Sequence, residues 1–198
     1  MLQEILNEKL DVIRDRSFEN DSLNQASLNG AEFHNTHFNN CSFASCDFTK
    51  TSFYECTITN CNFSTCDFTG SYLIDTEIAN SKFDGSIFSD SYFKQSSARD
   101  SSFKYANFGK TSWENCRIQD CAMNEAFFSE SKFKSITLNK VDFGGADFFR
   151  TSLKNVDFST SNIHGMLVSE TFYELKGMKI DILQAAELAK LLGVKIVS

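Results

Sequence analysis

The sequence predicts an all-β solenoid, a single rod of stacked square coils with 20 residues in each. Three observations predict it. From Phe18 to Ile163 every fifth residue is bulky and apolar; of these 30 positions 18 are Phe and nine are Leu or Ile, the exceptions being Ala98, Trp113 and Met123. Two residues before each lies a register of small side chains, among them Ala26, Ala31, Thr36, Cys41, Cys46, Thr51, Ser71, Ser101, Thr111 and Ala146. The phase holds across the whole span, with no inserted loop.

Neither regular element buries this pattern. An α-helix turns about 100° per residue, so a five-residue step scatters the apolar positions round its axis. In a flat strand an odd step alternates faces. The chain must turn one corner per repeat, keeping the large and the small residue inward. Four corners close a coil, and stacked coils bury a continuous core. Each large residue then meets its counterpart 20 positions on, which makes Ala98, between Ile78 and Ile118, the weak rung. A void, a kink or an inserted side chain is expected near residues 96–100.

The repeats read Cys46-Asp47-Phe48-Thr49-Lys50, Cys66-Asp67-Phe68-Thr69-Gly70, Ala106-Asn107-Phe108-Gly109-Lys110 and Ala146-Asp147-Phe148. Residues 16 to about 168 thereby resemble the pentapeptide-repeat family. The resemblance implies a right-handed quadrilateral parallel β-helix. About 7.5 coils at a strand spacing of roughly 4.8 Å make a rod of roughly 36 Å.

Solenoid ends need caps, and the sequence divides accordingly into an N-terminal cap (residues 1–15), the β-helix (16–170) and a C-terminal module (171–198). Leu2, Ile5, Leu6, Leu10 and Ile13 suit a short amphipathic helix, although Leu10–Ile13 could equally enter the first coil as a strand. At the other end the five-residue phase is lost by Lys176. Asp181 and Gln184 stand in a capping-box relation before an apolar run, and Gly193 falls where a C′ glycine belongs. Val194-Lys195-Ile196-Val197 reads as a short strand. The helix is apolar round most of its circumference, as a helix covered on more than one side is.

The segment Gly177-Met178-Lys179-Ile180-Asp181, Gln184-Ala185 and Leu191-Leu192-Gly193-Val194 is similar to the C-terminal segment of Qnr-type quinolone-resistance pentapeptide proteins. That resemblance implies an end-to-end homodimer with Met178, Ile180, Leu183, Leu188, Leu191, Leu192, Val194 and Ile196 at its interface. Two such rods together with their terminal helices would span about 80 Å, comparable to about 23 base pairs. It further implies a cytoplasmic bacterial protein that resembles duplex DNA in shape and charge and binds DNA gyrase or topoisomerase IV, reducing fluoroquinolone susceptibility. Better-known members carry loops that this chain lacks.

Composition narrows the function from another side. With 19 basic and 26 acidic residues the net charge is −7, which disfavours direct nucleic-acid binding. No secretory signal or long apolar run is present, so a cytoplasmic location, away from membranes, is expected. All seven Cys, at 41, 46, 56, 61, 66, 116 and 121, share the small inward register. Chance would give that roughly once in ten thousand, so the repeat dictates them. They read as buried free thiols rather than a metal centre or disulfide framework. His34, His37 and His164 are isolated, and no phosphate loop or nucleophile motif occurs. No enzyme activity and no cofactor are expected.

Charge remains as the lead to a site. Sorted 20 residues per coil, the face of Leu28, Phe48, Phe68, Phe88, Phe108, Phe128 and Phe148 carries Asp47, Asp67, Asp90, Glu130 and Asp147, against Lys50, Lys110 and Arg150. These acids are the candidate partner-binding face. The resemblance to the pentapeptide-repeat family also implies Asp before the central Phe as a preference for local hydrogen bonding, so Asp47 and Asp67 have a turn-forming role open to them as well. The alternative to a topoisomerase partner is a non-catalytic interaction scaffold for an unrelated protein.

Overall fold

A computed structural model describes residues 2–8, 11–195 and 197. The chain winds as a parallel β-solenoid with four faces, each coil pairing with the next at an offset of 20 residues. One face is a seven-stranded sheet from Val12–Arg14 to Lys132–Lys134, and the next a seven-stranded sheet from Ser17–Glu19 to Thr137–Asn139. The third face begins as a strand pair, Ser22–Asn24 with Ser42–Ala44, and continues as single bridges, Asn62 to Lys82 to Ser102 and onward. The fourth is bridges throughout, from Ser27 and Asp47 to Leu167.

Two backbone features make the square. The residue two after each central position sits in the left-handed region, unbroken from Asp15 to Asn155, with φ between 45° and 72°. On the bridged faces this corner is a hydrogen-bonded turn, as where the Thr51 amide donates to the Phe48 carbonyl at 3.1 Å. A left-handed third residue is what a type II turn requires. Most of these corners are not glycine, so each is held against an intrinsic cost of about 1 kcal/mol or more.

What holds them is the core. The rings of Phe48, Phe68, Phe88, Phe108, Phe128 and Phe148 form one parallel stack, with centroids 4.7–5.0 Å apart. Every central position from Phe18 to Phe128 is buried. The small register does more than leave room. Its hydroxyls and thiols donate to the central carbonyl of the preceding coil, as Thr51 Oγ1 to Leu28 (3.0 Å), Ser91 Oγ to Phe68 (2.7 Å) and Cys56 Sγ to Phe33 (3.3 Å). At Ala98 the ladder keeps register, with Ile78 and Ile118 its Cα partners. The missing side chain leaves an apolar cavity of about 20 Å³ beside Phe93, Phe103 and Trp113. Of the three outcomes expected there, the void is the one realised.

The ends are closed by different means. Helix α1 (Leu2–Glu8) buries Leu2 and Ile5 on the first coil, and the Leu2 amide donates to the Asp21 carboxylate. Val12–Arg14 is already a strand, Ile13 lying opposite Phe33; Leu10 lies outside the described residues. At the C-terminal end the chain needs two extra residues to come round, so Lys179 pairs with Asp157. Gly177, at φ 81°, makes that return, and a Cβ there would lie 3.2 Å from Lys154 Cγ.

Within this last coil Glu174 is fully buried. Its carboxylate accepts from the Arg150 amide (2.9 Å) and the Ser169 hydroxyl (2.9 Å), satisfying an amide that the next coil would otherwise have taken. Helix α2 (Ile182–Leu191) follows, with the capping box of Asp181 and Gln184 in place. Gln184 Nε2 also donates to the carbonyls of Phe158 and Ser161, so the capping side chain ties the helix to the top coil. The Val194 amide donates to Ala189 and that of Gly193 to Lys190, a Schellman ending with Gly193 at φ 75°. The expected strand at 194–197 does not form among its described residues, where the Val194 amide is instead taken by the Ala189 carbonyl of the helix ending; Ile196 lies outside them.

Two consequences are measurable. Phe68→Ala, in mid-stack, should destabilise the rod by about 3–5 kcal/mol in urea unfolding, and a near-neutral result would mean the ladder is not the core. Burial pushes the Glu174 carboxyl up, but the hydrogen bonds it accepts outweigh this and hold it below its ordinary value. A group held low in the folded state contributes stability at neutral pH and loses it as pH falls through its folded value. Melting curves from pH 7 to pH 3 should therefore show Glu174→Gln less stable than wild type at neutral pH, with the gap narrowing in acid. Parallel curves would remove Glu174 from that role.

Candidate partner-binding surface

The bridges of the fourth face set the outward residues in a row: Asp47, Asp67, Ile87, Asn107, Phe127, Asp147 and Leu167. Three of the five predicted acids stand in it. Each is half-buried and turned onto its own corner. Asp67 Oδ1 accepts from the Thr69 amide (2.8 Å) and hydroxyl (2.6 Å), and Asp147 Oδ1 accepts from the Phe149 amide at 2.7 Å. Asp47 repeats the pattern with Thr49 and adds the Ser27 hydroxyl of the coil below, at 2.8 Å. Burial pushes its carboxyl up, yet these donors outweigh that and keep it below the ordinary range. Asp90 and Glu130 lie on the flanking corner and are exposed. Glu130 is 3.6 Å from Arg150.

The face is therefore mixed. Between its acids it exposes Ile87, Phe127, Phe149 and Leu167, with Tyr105 at the adjoining corner. Sorting by charge alone misses these side chains. The available signal was Ile87 and Phe127 at the position where other repeats of this row carry Asp.

The other predicted residues divide. Met178, Ile180, Leu188 and Leu191 are half-buried against the chain's own core, whereas Leu183, Leu192 and Val194 are exposed at 78, 59 and 52 %. Ile182, absent from the predicted set, is 85 % exposed. Helix α2 thus caps the solenoid with one side and leaves an apolar side facing outward.

Two family models match the chain. One, described as a pentapeptide repeat region, matches residues 13–86 and 36–105. The other, pentapeptide repeats in eight copies, matches residues 128–165. The chain belongs to the pentapeptide-repeat family. Similar solved structures include full-length QnrB1, a plasmid-mediated fluoroquinolone resistance protein, at 19 % identity over 90 % of this chain and 100 % of that one, TM-score 0.38. Rfr23 from the cyanobacterium Cyanothece 51142 is 11 % identical over 70 % of this chain and 93 % of its own, TM-score 0.45. HetL from Nostoc sp. strain PCC 7120, involved in heterocyst differentiation regulation, is 10 % identical over 91 % and 93 %, TM-score 0.39. No curated protein matches.

Elsewhere this pentapeptide-repeat rod brings little chemistry together. The histidines pair locally, His34 with Glu32, His37 with Thr57 and His164 with Glu187. None of the seven thiols is more than 3 % exposed. Burial pushes Cys56 and Cys121 up to about 11. In the stacked pairs, the neighbouring Cys61 or Cys66 thiol holds Cys41 or Cys46 below the ordinary thiol value against burial, and is itself pushed up. Among the described residues no group of three or more His, Cys, Asp or Glu is placed to hold a metal ion. An open polar groove of about 560 Å³ runs along one corner past Asp75, Glu77, Ser97, Asn115 and Arg117.

The turn bonds of the row predict how its acids respond to substitution. Asp67→Asn keeps the accepting oxygen and should leave stability within about 0.5 kcal/mol, whereas Asp67→Ala should cost about 1 kcal/mol or more. Equal effects in thermal unfolding would mean that the carboxylate does not hold the corner.

Proposed function

We propose that this chain is a non-catalytic interaction protein that acts as an end-to-end homodimer and engages a type II topoisomerase, DNA gyrase or topoisomerase IV. The two rods stand in for a stretch of duplex DNA, and the outcome is reduced fluoroquinolone susceptibility. The observation that carries this reading is the form of the C-terminal module. Its sequence is similar to that of Qnr-type proteins, and α2 leaves Ile182, Leu183, Leu192 and Val194 open to a second chain. Asp47 and Asp67 at the N-terminal half of the rod, with Asp90, Glu130 and Asp147 beyond, supply the negative surface. The cytoplasm is the proposed location; no described helix is long and apolar enough to cross a membrane.

A second reading, a scaffold for an unrelated protein, is favoured by the mixed character of the fourth face. Lys110 and Arg150 alternate there with the acids, and apolar side chains interrupt the acidic row.

Titrating the protein into gyrase supercoiling reactions, with and without ciprofloxacin, tests the proposal. Rescue of supercoiling in drug is the expected result. Inhibition without rescue would leave a DNA-mimicking inhibitor, and no effect on gyrase or topoisomerase IV would move the assignment to the second reading. Light scattering should find a dimer that Ile182→Asp with Leu183→Asp converts to monomer; a persistent dimer would place the interface elsewhere.

A further inference from the structure

Each of five successive coils presents one large apolar side chain to solvent on the fourth face or, for Tyr105, at its adjoining corner. These are Ile87, Tyr105, Phe127, Phe149 and Leu167, exposed by 40, 56, 48, 39 and 54 %. Bridges from Ile87 through Asn107, Phe127 and Asp147 to Leu167 put Ile87, Phe127 and Leu167 in one row along the rod, with Tyr105 two residues before that row and Phe149 two residues after it. Taking roughly 150–250 Å² for each whole side chain, the stripe exposes on the order of 500 Å², the size at which an apolar patch marks a contact surface. On the flanking corner the charge alternates coil by coil, through Asp90, Lys110, Glu130 and Arg150. The Arg150 guanidinium also lies over the Phe149 ring, 4.9 Å from its centroid.

The charges decide against a second copy as occupant. Antiparallel packing about Phe127 would bring Ile87 onto Leu167, but it would set Lys110 against Arg150 and Glu130 against its own counterpart. Parallel packing would set Glu130 towards Glu125. An amphipathic helix meets neither objection. Ile87, Phe127 and Leu167 recur every two coils, about 9.6 Å, and a helix returns to the same face after seven residues, about 10.5 Å. Across three such anchors the two periods differ by about 2 Å.

We infer that this stripe is a docking surface for an amphipathic α-helix of another protein, lying along the rod. Its apolar residues recur by heptads over Ile87, Phe127 and Leu167. A basic residue faces Asp90 and Glu130, and an acidic one faces Lys110 and Arg150. The inference rests on the chain being an interaction rod and is independent of a topoisomerase as partner.

The probe is a dye-labelled synthetic peptide of three heptads, with leucine at the a and d positions and lysine and glutamate placed for this charge order. A twin has lysine and glutamate exchanged. Fluorescence anisotropy on the full chain should show saturable binding of the first peptide, weakened about 10-fold by Phe127→Ser and again by Ile87→Ser. The twin should bind at least about 5-fold more weakly. Both substitutions are at exposed sites, and unchanged thermal melts confirm folded variants. No binding, or equal binding of both peptides to wild type and variants, overturns the inference. So does a concentration-dependent oligomer, or flotation with phosphatidylcholine vesicles, that Phe127→Ser abolishes; these would assign the stripe to self-association or to lipid. A negative supercoiling assay leaves this result standing, and a negative peptide assay leaves the supercoiling result standing.

Discussion

The distance between hydrogen-bonded coils governs this molecule. Parallel backbones sit about 4.8 Å apart, and flat aromatic rings stacked in register sit at nearly the same distance. In the Phe48 to Phe148 column both ladders run together, rings 4.7–5.0 Å apart above a backbone paired at a 20-residue offset. A chain bound to that interval must return to the same corner every 20 residues. It therefore places a left-handed residue at every fifth position, including Tyr105 and Glu55, which would not choose it. Burial of each large side chain, worth roughly 1.5–3 kcal/mol, exceeds the strain of its corner.

That constraint separates structure from function along the sequence. The central and small registers are committed to the core, down to the Ser91 hydroxyl held by the Phe68 carbonyl. The outward positions are nearly free of the fold. Asp67 can become Ile87 one coil on without disturbing register, because the bridge between them is main chain. The outward side chains accordingly form rows along the rod, one per coil.

This division also explains what the sequence disclosed. The Phe ladder, the inward thiols, the capping box of Asp181 and Gln184 and the terminal Gly193 follow from period and local chemistry, and the sequence was sufficient for them. Glu174 was not legible. A glutamate in a stretch without phase looks like surface charge, and only closure of the last coil over the Arg150 amide buries it. The division of α2 into Leu188 and Leu191 inward, Ile182 and Leu183 outward, was equally hidden. A helix apolar round most of its circumference does not say which side meets its own chain; the anchor of Gln184 on Phe158 and Ser161 fixes that rotation. The apolar row at Ile87 and Phe127 was visible in the letters and lost by sorting them for charge alone.

The two ends of the rod differ in a way capping alone does not require. Helix α1 closes the first coil with Leu2 and Ile5, both buried. Helix α2 closes the last with Leu188, Leu191 and Gln184, and carries besides them Ile182, Leu183, Leu192 and Val194 in solvent. A chain of net charge −7 has polar residues to spare, so this surplus of apolar surface stands against its own composition. A second chain meeting it end to end would cover it without using any of the four faces. The stripe from Ile87 to Leu167 runs along the rod's side, so joining two rods at their ends leaves both stripes open. An end that met a second chain and a side that met a partner would place few demands on each other, and a solenoid, in which each coil contacts only its neighbours, can hold both.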